Sequence, residues 1–176
     1  MVIRPANASD LQACLEIDDS FETESVWQME ERVASNRISV GFRLARLPRP
    51  MRVRGIASRE GLAESFKKKP SAFFVADDGV VRGYIQAVAS RALEVLHVQR
   101  VVVAPALRRQ GIGTQLLRAA LTVARQQQLR ALVLDVNTKA HPTIAFFQKN
   151  GFAFCGFNDQ LYPNHDIALY FAMPVK

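Results

Sequence analysis

Cysteine is scarce in this sequence: Cys14 and Cys155 are the only two among 176 residues. Two cysteines are too few for a disulfide framework, and their apolar neighbours predict buried free thiols, as in a reducing cytoplasm. The three histidines are scattered, and together with the cysteines they lack the spacing of metal ligands. The sequence therefore predicts a cytoplasmic protein without a metal site.

Long hydrophobic runs are also absent. No stretch approaches the ~20 apolar residues that a helix needs to cross a membrane, and Met1–Pro5 lacks the apolar core of a signal peptide. No repeat or low-complexity linker divides the chain, and its 49% hydrophobic and 22% charged residues are ordinary for a globular protein. We expect one domain, residues 1–176, with no membrane segment.

Acidic residues are rare in one part of the chain. From Arg32 to Lys69, eleven Lys and Arg residues accompany only Glu60 and Glu64, so this segment carries +9 whereas the whole chain carries +7. Such a run is most often a solvated surface, and the alternative is attraction of an anion: cofactor phosphates, an acidic substrate or RNA. The aromatic residues are not interleaved with the basic ones as in an RNA-binding sheet, so we do not expect a nucleic-acid partner.

The stretch from Val101 to Leu121 has the order strand, glycine turn, helix. Val101, Val102 and Val103 form a β-branched run that ends before Pro105, which cannot donate to a sheet ladder. Beyond the turn, apolar residues recur at the spacing of an amphipathic helix; they are Ile112, Leu116, Leu117, Ala120, Val123 and Ala124.

This order suits a pyrophosphate. The first turn of a helix leaves backbone N–H groups unpaired at the positive end of the helix dipole. Gly111 and Gly113 would let a ligand approach the backbone, and Arg108 and Arg109 add positive charge. Two glycines alone would indicate only a tight turn, but their combination with the strand, the arginines and the helix favours phosphate binding.

The strand predicted from Glu94 to Val103 contains a change of phase. Leu96 and Val98 are apolar at even positions, whereas Val101 and Val103 are apolar at odd ones. A β-bulge produces such a one-residue change, and a strand end that is buried on both faces is the alternative.

The remaining pattern predicts short alternating elements. They are a strand at Val2–Arg4, a helix from Leu11, a second helix from Val26 to Ala34, a basic hairpin arm of about residues 37–56 that breaks at Leu47–Pro50, a short helix Gly61–Lys69, a hairpin of Ala72–Ala76 and Val80–Ala89 around Asp77–Gly79, a strand Ala131–Val136, a helix from His141 to an Asn150–Gly151 cap, and closing strands Phe152–Phe157 and Ile167–Met173.

Two motifs resemble the GNAT N-acetyltransferases. Arg108–Gly113 matches the family's Q/R-x-x-G-x-G/A loop, and Phe146–Phe152 is similar to its F-Y-E-K-x-G-F hallmark. The order of elements resembles the family along nearly the whole chain, and the C-terminal part is most similar to the streptothricin acetyltransferase branch. The resemblance implies an α/β (α+β) fold: a mixed, mostly antiparallel, twisted sheet flanked by helices, with a bulged central strand.

The resemblance also implies roles for individual residues. The predicted contacts of acetyl-coenzyme A are Val101, Val102, Val103, Arg108, Arg109, Gln110, Gly111, Ile112, Gly113, Thr114, Asn137 and Phe147. The backbone N–H near Val103 would stabilise the thioester oxyanion. His97 stands where histone-modifying members carry a glutamate base, and the more common alternative is an ordinary histidine on a half-exposed strand.

Other positions depart from the family. Phe147 replaces the usual tyrosine acid, so the thiolate would leave unaided, through solvent, or with a proton from Tyr162 or Tyr170. Ala140 replaces the usual asparagine at the entry to the same helix. Gln99 and Arg100 replace an acidic pair of the streptothricin branch. Acidic residues expected beside the acceptor amine are Asp18, Glu22, Glu24 and Asp135, and a solvated turn is the alternative for the first three. Glu94 and Asp135 could act as bases through a water.

The resulting hypothesis is transfer of acetyl from acetyl-coenzyme A to a primary amine of a small molecule or peptide, directly in a ternary complex. A non-catalytic acyl-coenzyme A binding or sensing module is the alternative, because Phe147 cannot donate a proton. The antiparallel strands near the C-terminus could pair with a second copy, as edge strands can, giving a homodimer.

Overall fold

The computed structural model describes residues 1–55, 59–68 and 70–176. The chain forms two compact units: Met1–Asp19, Arg54–Leu134 and Ala172–Lys176 make the first, and Ser20–Val53 and Asp135–Phe171 the second. In chain order the elements are β1 (Val2–Pro5), α1 (Asp10–Glu16), β2 (Phe21–Ala34), β3 (Arg37–Val53), α2 (Arg59–Lys67), β4 (Ala72–Asp77), β5 (Val81–Ser90), β6 (Val95–Val103), α3 (Ile112–Gln126), β7 (Ala131–Asn137), α4 (His141–Lys149), β8 (Ala153–Asn158) and β9 (Ala168–Pro174).

Seven strands form one sheet in the order β1-β4-β5-β6-β7-β9-β8, and β2 and β3 form a separate two-stranded ribbon. The neighbours β1–β4, β4–β5 and β5–β6 are antiparallel. The pair β6–β7 is parallel, as expected when a helix such as α3 connects two neighbouring strands. This mixed, mostly antiparallel sheet with flanking helices confirms the predicted fold class.

The first unit is packed on both faces of its strands. On α3 the apolar stripe is enclosed, with Leu116, Ala120 and Ala124 fully buried, and the helix packs against β4, β5 and β6. A second cluster brings Cys14 of α1 and Leu62 of α2 against the strands, together with Phe73, Val75, Tyr84 and Val102. Burial of these side chains is the main stabilisation of the unit, since each contributes roughly 1.5–3 kcal/mol.

The phase change in β6 is a bulge. Gln86 of β5 pairs with Arg100, whereas the next residue, Ala87, pairs with Val98. Gln99 is therefore the extra residue, and it is exposed. The structure thus decides between the two interpretations of this strand in favour of the bulge.

Arg4 ties three elements of the first unit together. Its guanidinium contacts Asp10 of α1 at 2.7 Å and Asp77 of β4 at 2.6 Å. Asp10 also accepts the backbone N–H of Asn7. The hydrogen bonds from Arg4 lower the pKa of Asp10 despite its burial, so this carboxylate stays charged and stabilises the start of α1.

The predicted second helix, Val26 to Ala34, is wrong. These residues belong to β2, which pairs with β3 from Phe21↔Val53 to Ala34↔Arg37. Local helix propensity is weak, and cross-strand packing such as Trp27 with Leu44 and Met29 with Phe42 overrides it.

The predicted break at Leu47–Pro50 is also wrong. The strand β3 continues through both prolines, and the ribbon turns instead at Ser35 and Asn36. Thr23 pairs with Met51 but Ser25 pairs with Arg46, so residues 47–50 lie opposite a register shift. Prolines are tolerated there because no ladder hydrogen bond is required.

Other predicted elements are confirmed within one or two residues, among them the short helix, which is α2. Ile56, at the end of the predicted arm, and Lys69, at the end of that helix, lie outside the described residues. Cys14 is buried as predicted, but Cys155 is exposed on β8. Among residues 1–55, 59–68 and 70–176, no helix is long and apolar enough to span a membrane.

Candidate active site

The loop between β6 and α3 is fixed by Arg108. After β6, Pro105–Leu107 form one 3₁₀ turn. The Nε of Arg108 then donates to the carbonyl of Val103 at 2.9 Å, and its Nη2 donates to the carbonyl of Asp18 at 2.8 Å. The side chain predicted to hold phosphate is therefore anchored to two backbone carbonyls, and it brings Asp18 to the loop.

The start of α3 is open to a ligand. Gly111, with φ of 83°, precedes the helix in the left-handed conformation, and no side chain caps the first turn. A Cβ placed on Gly111 would meet nothing within 4 Å. The N–H groups of Ile112, Gly113 and Thr114 belong to the first turn, which has no intrahelical acceptors for them.

Charge and exposure at this loop fit a diphosphate. Arg109 and Gln110 are exposed, and Arg109 also has a left-handed backbone, with φ of 66°. Left-handed residues in a loop favour concave arrangements of backbone N–H groups that bind anions, and a helix N-terminus adds positive potential. The residues present therefore fit the pyrophosphate that the sequence predicts.

The end of β6 presents a backbone N–H group away from β5. The N–H of Ala104 donates to the carbonyl of Arg82 at 2.8 Å. Because pairing alternates along antiparallel strands, the N–H of the preceding residue, Val103, points to the β7 side of β6. The described pairing of β6 with β7 covers only Val95–His97, so the Val103 N–H lies beyond the paired part.

His97 is the last residue of β6 that pairs with β7, opposite Val133. It is half-buried and lies two residues before the bulge at Gln99. The structure therefore places the candidate base on the same strand as the candidate oxyanion donor.

In the second unit, Tyr162 and Asp135 lie together. The Tyr162 hydroxyl donates to Oδ2 of Asp135 at 2.7 Å. Burial raises the pKa of Tyr162, and the neighbouring Asp135 carboxylate raises it further. The hydroxyl therefore holds its proton throughout the physiological range, and the bond fixes its direction.

Asn137 is engaged by Asp166. Its Nδ2 donates to Asp166 Oδ2 at 2.7 Å, and Lys139 forms an ion pair with the same carboxylate. Although burial raises the pKa of Asp166, the hydrogen bonds from Lys139 and Asn137 outweigh it and hold the pKa below its usual value. The predicted cofactor residue Asn137 thus links the end of β7 to the segment before β9.

Phe147 is buried, and the centroid of its ring lies 5.1 Å from that of Phe146 and 5.2 Å from that of Phe152. Nearby on α4, the ring of His141 lies 6.2 Å from that of Trp27. In the part of the chain that the structure describes, Trp27 Nε1 and His141 Nδ1 are both enclosed without a hydrogen-bond partner. No sequence pattern marks these two side chains as functional, because their proximity depends on the ribbon.

The predicted acidic residues fall in different settings. Asp18 lines an open cleft of 290 Å³ in the first unit, with Glu16, Ile17, Val81, Arg82 and Ala104. Glu22 and Glu24 are exposed on β2 in the second unit, and Glu24 lies 3.8 Å from Arg46. Of these residues, the structure brings Asp18 to the predicted cofactor loop. Among the described residues, no group of three or more His, Cys, Asp or Glu could hold a metal ion.

Comparisons with known proteins agree with this geometry. Residues 41–152 match the acetyltransferase (GNAT) family. The chain is 31% identical over 182 residues to streptothricin acetyltransferase of Streptomyces lavendulae, covering 97% of this chain and 93% of that protein.

Solved structures share the fold. The crystal structure of nourseothricin acetyltransferase gives a TM-score of 0.84 at 26% identity, covering 99% of this chain and 98% of that one. A protein from Bacillus anthracis str. Ames in complex with acetyl coenzyme A gives 0.81 at 18% identity, with coverage of 99% and 98%. From its sequence matches and its fold, the chain belongs to the acetyltransferase (GNAT) family.

Proposed function

We propose that this protein transfers acetyl from acetyl-coenzyme A to a primary amine of a small molecule or peptide, directly within a ternary complex. The observation that carries the proposal is the uncapped start of α3 at Gly111, which follows the end of β6 in the same unit, where the described pairing with β7 has stopped. A helix start of this kind binds phosphate, and the strand end offers a backbone N–H for an oxyanion.

The cofactor would lie along these two elements. The N–H groups of Ile112, Gly113 and Thr114, together with the charges of Arg108 and Arg109, would hold the pyrophosphate. The unpaired edge of Val101–Val103 would face the thioester end. The acetyl-coenzyme A complex of the Bacillus anthracis protein supports this choice of ligand.

The chemistry requires three tasks. The neutral amine attacks the thioester carbon, so an N–C bond forms and the C–S bond breaks. The Val103 N–H would stabilise the oxyanion, and His97 would accept the amine proton. On the family resemblance we propose Tyr162 as the donor to the departing thiolate; within its own unit the hydroxyl is protonated and donates to Asp135, and that proton would pass to the sulfur.

The second candidate function is a non-catalytic acyl-coenzyme A module. It is motivated by Phe147, whose buried ring has no hydroxyl to donate. We favour catalysis, because Tyr162 carries a protonated hydroxyl that would take the place of the one missing at Phe147.

Thermal melting tests the cofactor site. A ligand present at a hundredfold excess over its Kd adds about 2.7 kcal/mol of stability, which moves the midpoint by roughly 5–10 degrees. Acetyl-coenzyme A should produce this shift in the natural protein and not in Gly111→Glu, where a carboxylate occupies the phosphate position. Gly79→Glu is the matched control, since Gly79 also has a positive φ and open space around a Cβ.

Thiol release separates the two functions. Amine-dependent release of free coenzyme A thiol supports the transferase, whereas a melting shift without thiol release for a broad amine panel supports the binding module. No melting shift in the natural protein at saturating acetyl-coenzyme A would sink both proposals.

The homodimer stays a prediction, and β8 is the strand through which two copies would pair. This strand lies at one edge of the seven-stranded sheet, and none of its six residues is charged. Charge on an edge strand discourages pairing with another copy. Sedimentation of the natural protein and of Phe154→Lys, on β8, would show whether this edge associates.

A further inference from the structure

Arg100 is a charged side chain that the proposed mechanism does not use. It follows the bulge residue Gln99 on β6, pairs with the fully buried Gln86 on β5, and is itself half-buried. Its Nη1 atom is enclosed and has no hydrogen-bond partner among the described residues. The guanidinium is therefore withdrawn from water on one side, and there Nη1 has no acceptor at hydrogen-bond distance among the described residues.

Other arginines of the same unit show what a paired guanidinium looks like. Arg4 donates to the carboxylates of Asp10 and Asp77, and Arg108 donates to two backbone carbonyls. A guanidinium cannot lose its charge by deprotonation. An enclosed donor without an acceptor is costly, so its persistence at a site indicates a partner from outside the chain.

Within residues 1–55, 59–68 and 70–176, no carboxylate forms an ion pair with the Arg100 guanidinium. Since cross-strand partners share a face, Arg100 and Gln86 lie on the face that carries Val102 and Tyr84. Burial raises the pKa of Tyr84, the charge of Arg100 lowers it, and Asp19 raises it. Arg100 therefore lies close enough to this phenol to act on it, but no ion pair among the described residues includes it.

The position is also relevant to the reaction. Arg100 lies three residues before Val103, whose N–H is the proposed oxyanion donor, and beyond the part of β6 that pairs with β7. We propose that Arg100 binds a carboxylate on the acceptor, so that the acceptor is an amine that also carries a carboxylate group. A planar guanidinium binds a carboxylate through two parallel hydrogen bonds. This inference rests on the proposed acetyl transfer and narrows its substrate class.

The test compares acceptors that differ only by a carboxylate. Acetylation of L-lysine is compared with that of cadaverine, and acetylation of 4-aminobutyrate with that of butylamine, in the natural protein, Arg100→Gln and Arg100→Lys. Arg118→Gln, on the exposed side of α3, is the control. We expect the natural protein to acetylate the carboxylate-bearing acceptor of each pair faster than the plain amine. In Arg100→Gln, kcat/KM should fall about thirtyfold or more for the carboxylate-bearing acceptors and change less than threefold for the plain amines.

Arg100→Lys keeps the positive charge but loses the planar guanidinium. Compared with Arg100→Gln, it should recover part of the preference for carboxylate-bearing acceptors, seen as a lower KM for them. Removing an enclosed, unpaired charge should leave the melting temperature of Arg100→Gln equal to or above that of the natural protein. Equal loss for both members of each pair, or a lower melting temperature, would mean that Arg100 is structural. Acetylation without any carboxylate preference would overturn the inference and leave the proposed function standing. A protein that shows no melting shift with acetyl-coenzyme A would overturn both.

Discussion

The two units each contain an antiparallel strand pair with a register shift, and the two pairs differ in burial. In β5–β6 one extra residue, Gln99, interrupts a pair that is packed on both faces. In β2–β3 residues 47–50 interrupt a ribbon whose side chains are mostly exposed. The alternation of apolar residues revealed the first register shift in the sequence, whereas no such pattern revealed the second.

Burial explains this difference. A one-residue bulge in a packed strand moves every later apolar residue to the other parity, because the core still requires apolar side chains on its own face. An exposed ribbon imposes no such requirement. Its only local signals were Pro48 and Pro50, which indicate a turn when no partner strand is known.

Deleting Gln99 should have the largest effect. Without Gln99 the ladder would be regular: Val98 would still pair with Ala87 and Arg100 with Gln86, so the later side chains would keep their faces. The bend and extra twist that the bulge gives to this packed strand would be lost, and Val102, which is 8% exposed, would shift within the core. We expect a loss of about 3 kcal/mol, because the buried side chains around β6 must repack when the strand straightens. Equilibrium denaturation followed by circular dichroism measures it.

Deletion of Pro48 is the corresponding change in the ribbon, and it should cost far less, since Pro48 is exposed and has no cross-strand partner. Equal losses for the two deletions would contradict the view that burial makes the difference.

Replacing one glycine by alanine in each of the two strand pairs gives a finer comparison. At Gly83 of β5 the added Cβ would lie 2.7 Å from the Val102 carbonyl oxygen and 3.3 Å from the Val103 Cα, whereas at Gly41 of β3 it would meet nothing within 4 Å. Gly83→Ala should therefore cost about 1–3 kcal/mol. Gly41→Ala should be neutral or stabilise by up to about 1 kcal/mol, because it restricts the unfolded chain.

Chemical denaturation of both variants gives the two values on one scale. If Gly83→Ala proved as stable as Gly41→Ala, the strands β5 and β6 would be able to move apart, and the tight contact between them could not position Val103.

The two units should also differ in how strongly their charged groups make stability depend on pH. The pKa of Asp10 is lowered from its ordinary 3.8, so its contribution to stability is complete above that value and is lost as the pH falls through the lower, folded pKa. Asp10→Asn should melt a few degrees lower at pH 7 and show a weaker dependence on pH below 4. Glu30→Gln, which removes an exposed ion pair of the ribbon, should change neither quantity measurably.

Pro48→Ala should have the smallest effect. The proline lies opposite the register shift, where its missing N–H has no ladder acceptor to reach. We expect a loss of roughly 0.5 kcal/mol, chiefly through greater freedom of the unfolded chain. A larger loss, in the same denaturation measurement, would show that the ribbon depends on proline to form its irregular part.

Much of the first unit could be predicted from local patterns. The Asp77–Gly79 turn, the apolar stripe of α3 and the glycines before it are each encoded within a few residues. The ribbon could not be, because the strand character of Val26–Ala34 depends on a partner that begins only after the turn. Long-range pairing of this kind decides a segment whose own propensity is ambiguous.

The candidate site divides in the same way. The exposed glycine turn followed directly from the sequence, but the backbone bonds of Arg108 and the unpaired Nη1 of Arg100 depend on the positions of distant residues. The sequence could indicate that Arg100 replaces an acidic residue of the resembling branch. It could not indicate that the guanidinium is enclosed.

The two thiols give the protein a built-in reporter of local opening. Cys14 is 1% exposed in the first unit, and burial raises its pKa to about 12, whereas Cys155 is exposed in the second unit. A thiol-modifying reagent reacts with thiolate that it can reach, so Cys155 should be labelled promptly and Cys14 only when its surroundings open. The slow phase of labelling would then give the frequency of that opening, and its retardation by acetyl-coenzyme A would report ligand binding without any assay of catalysis.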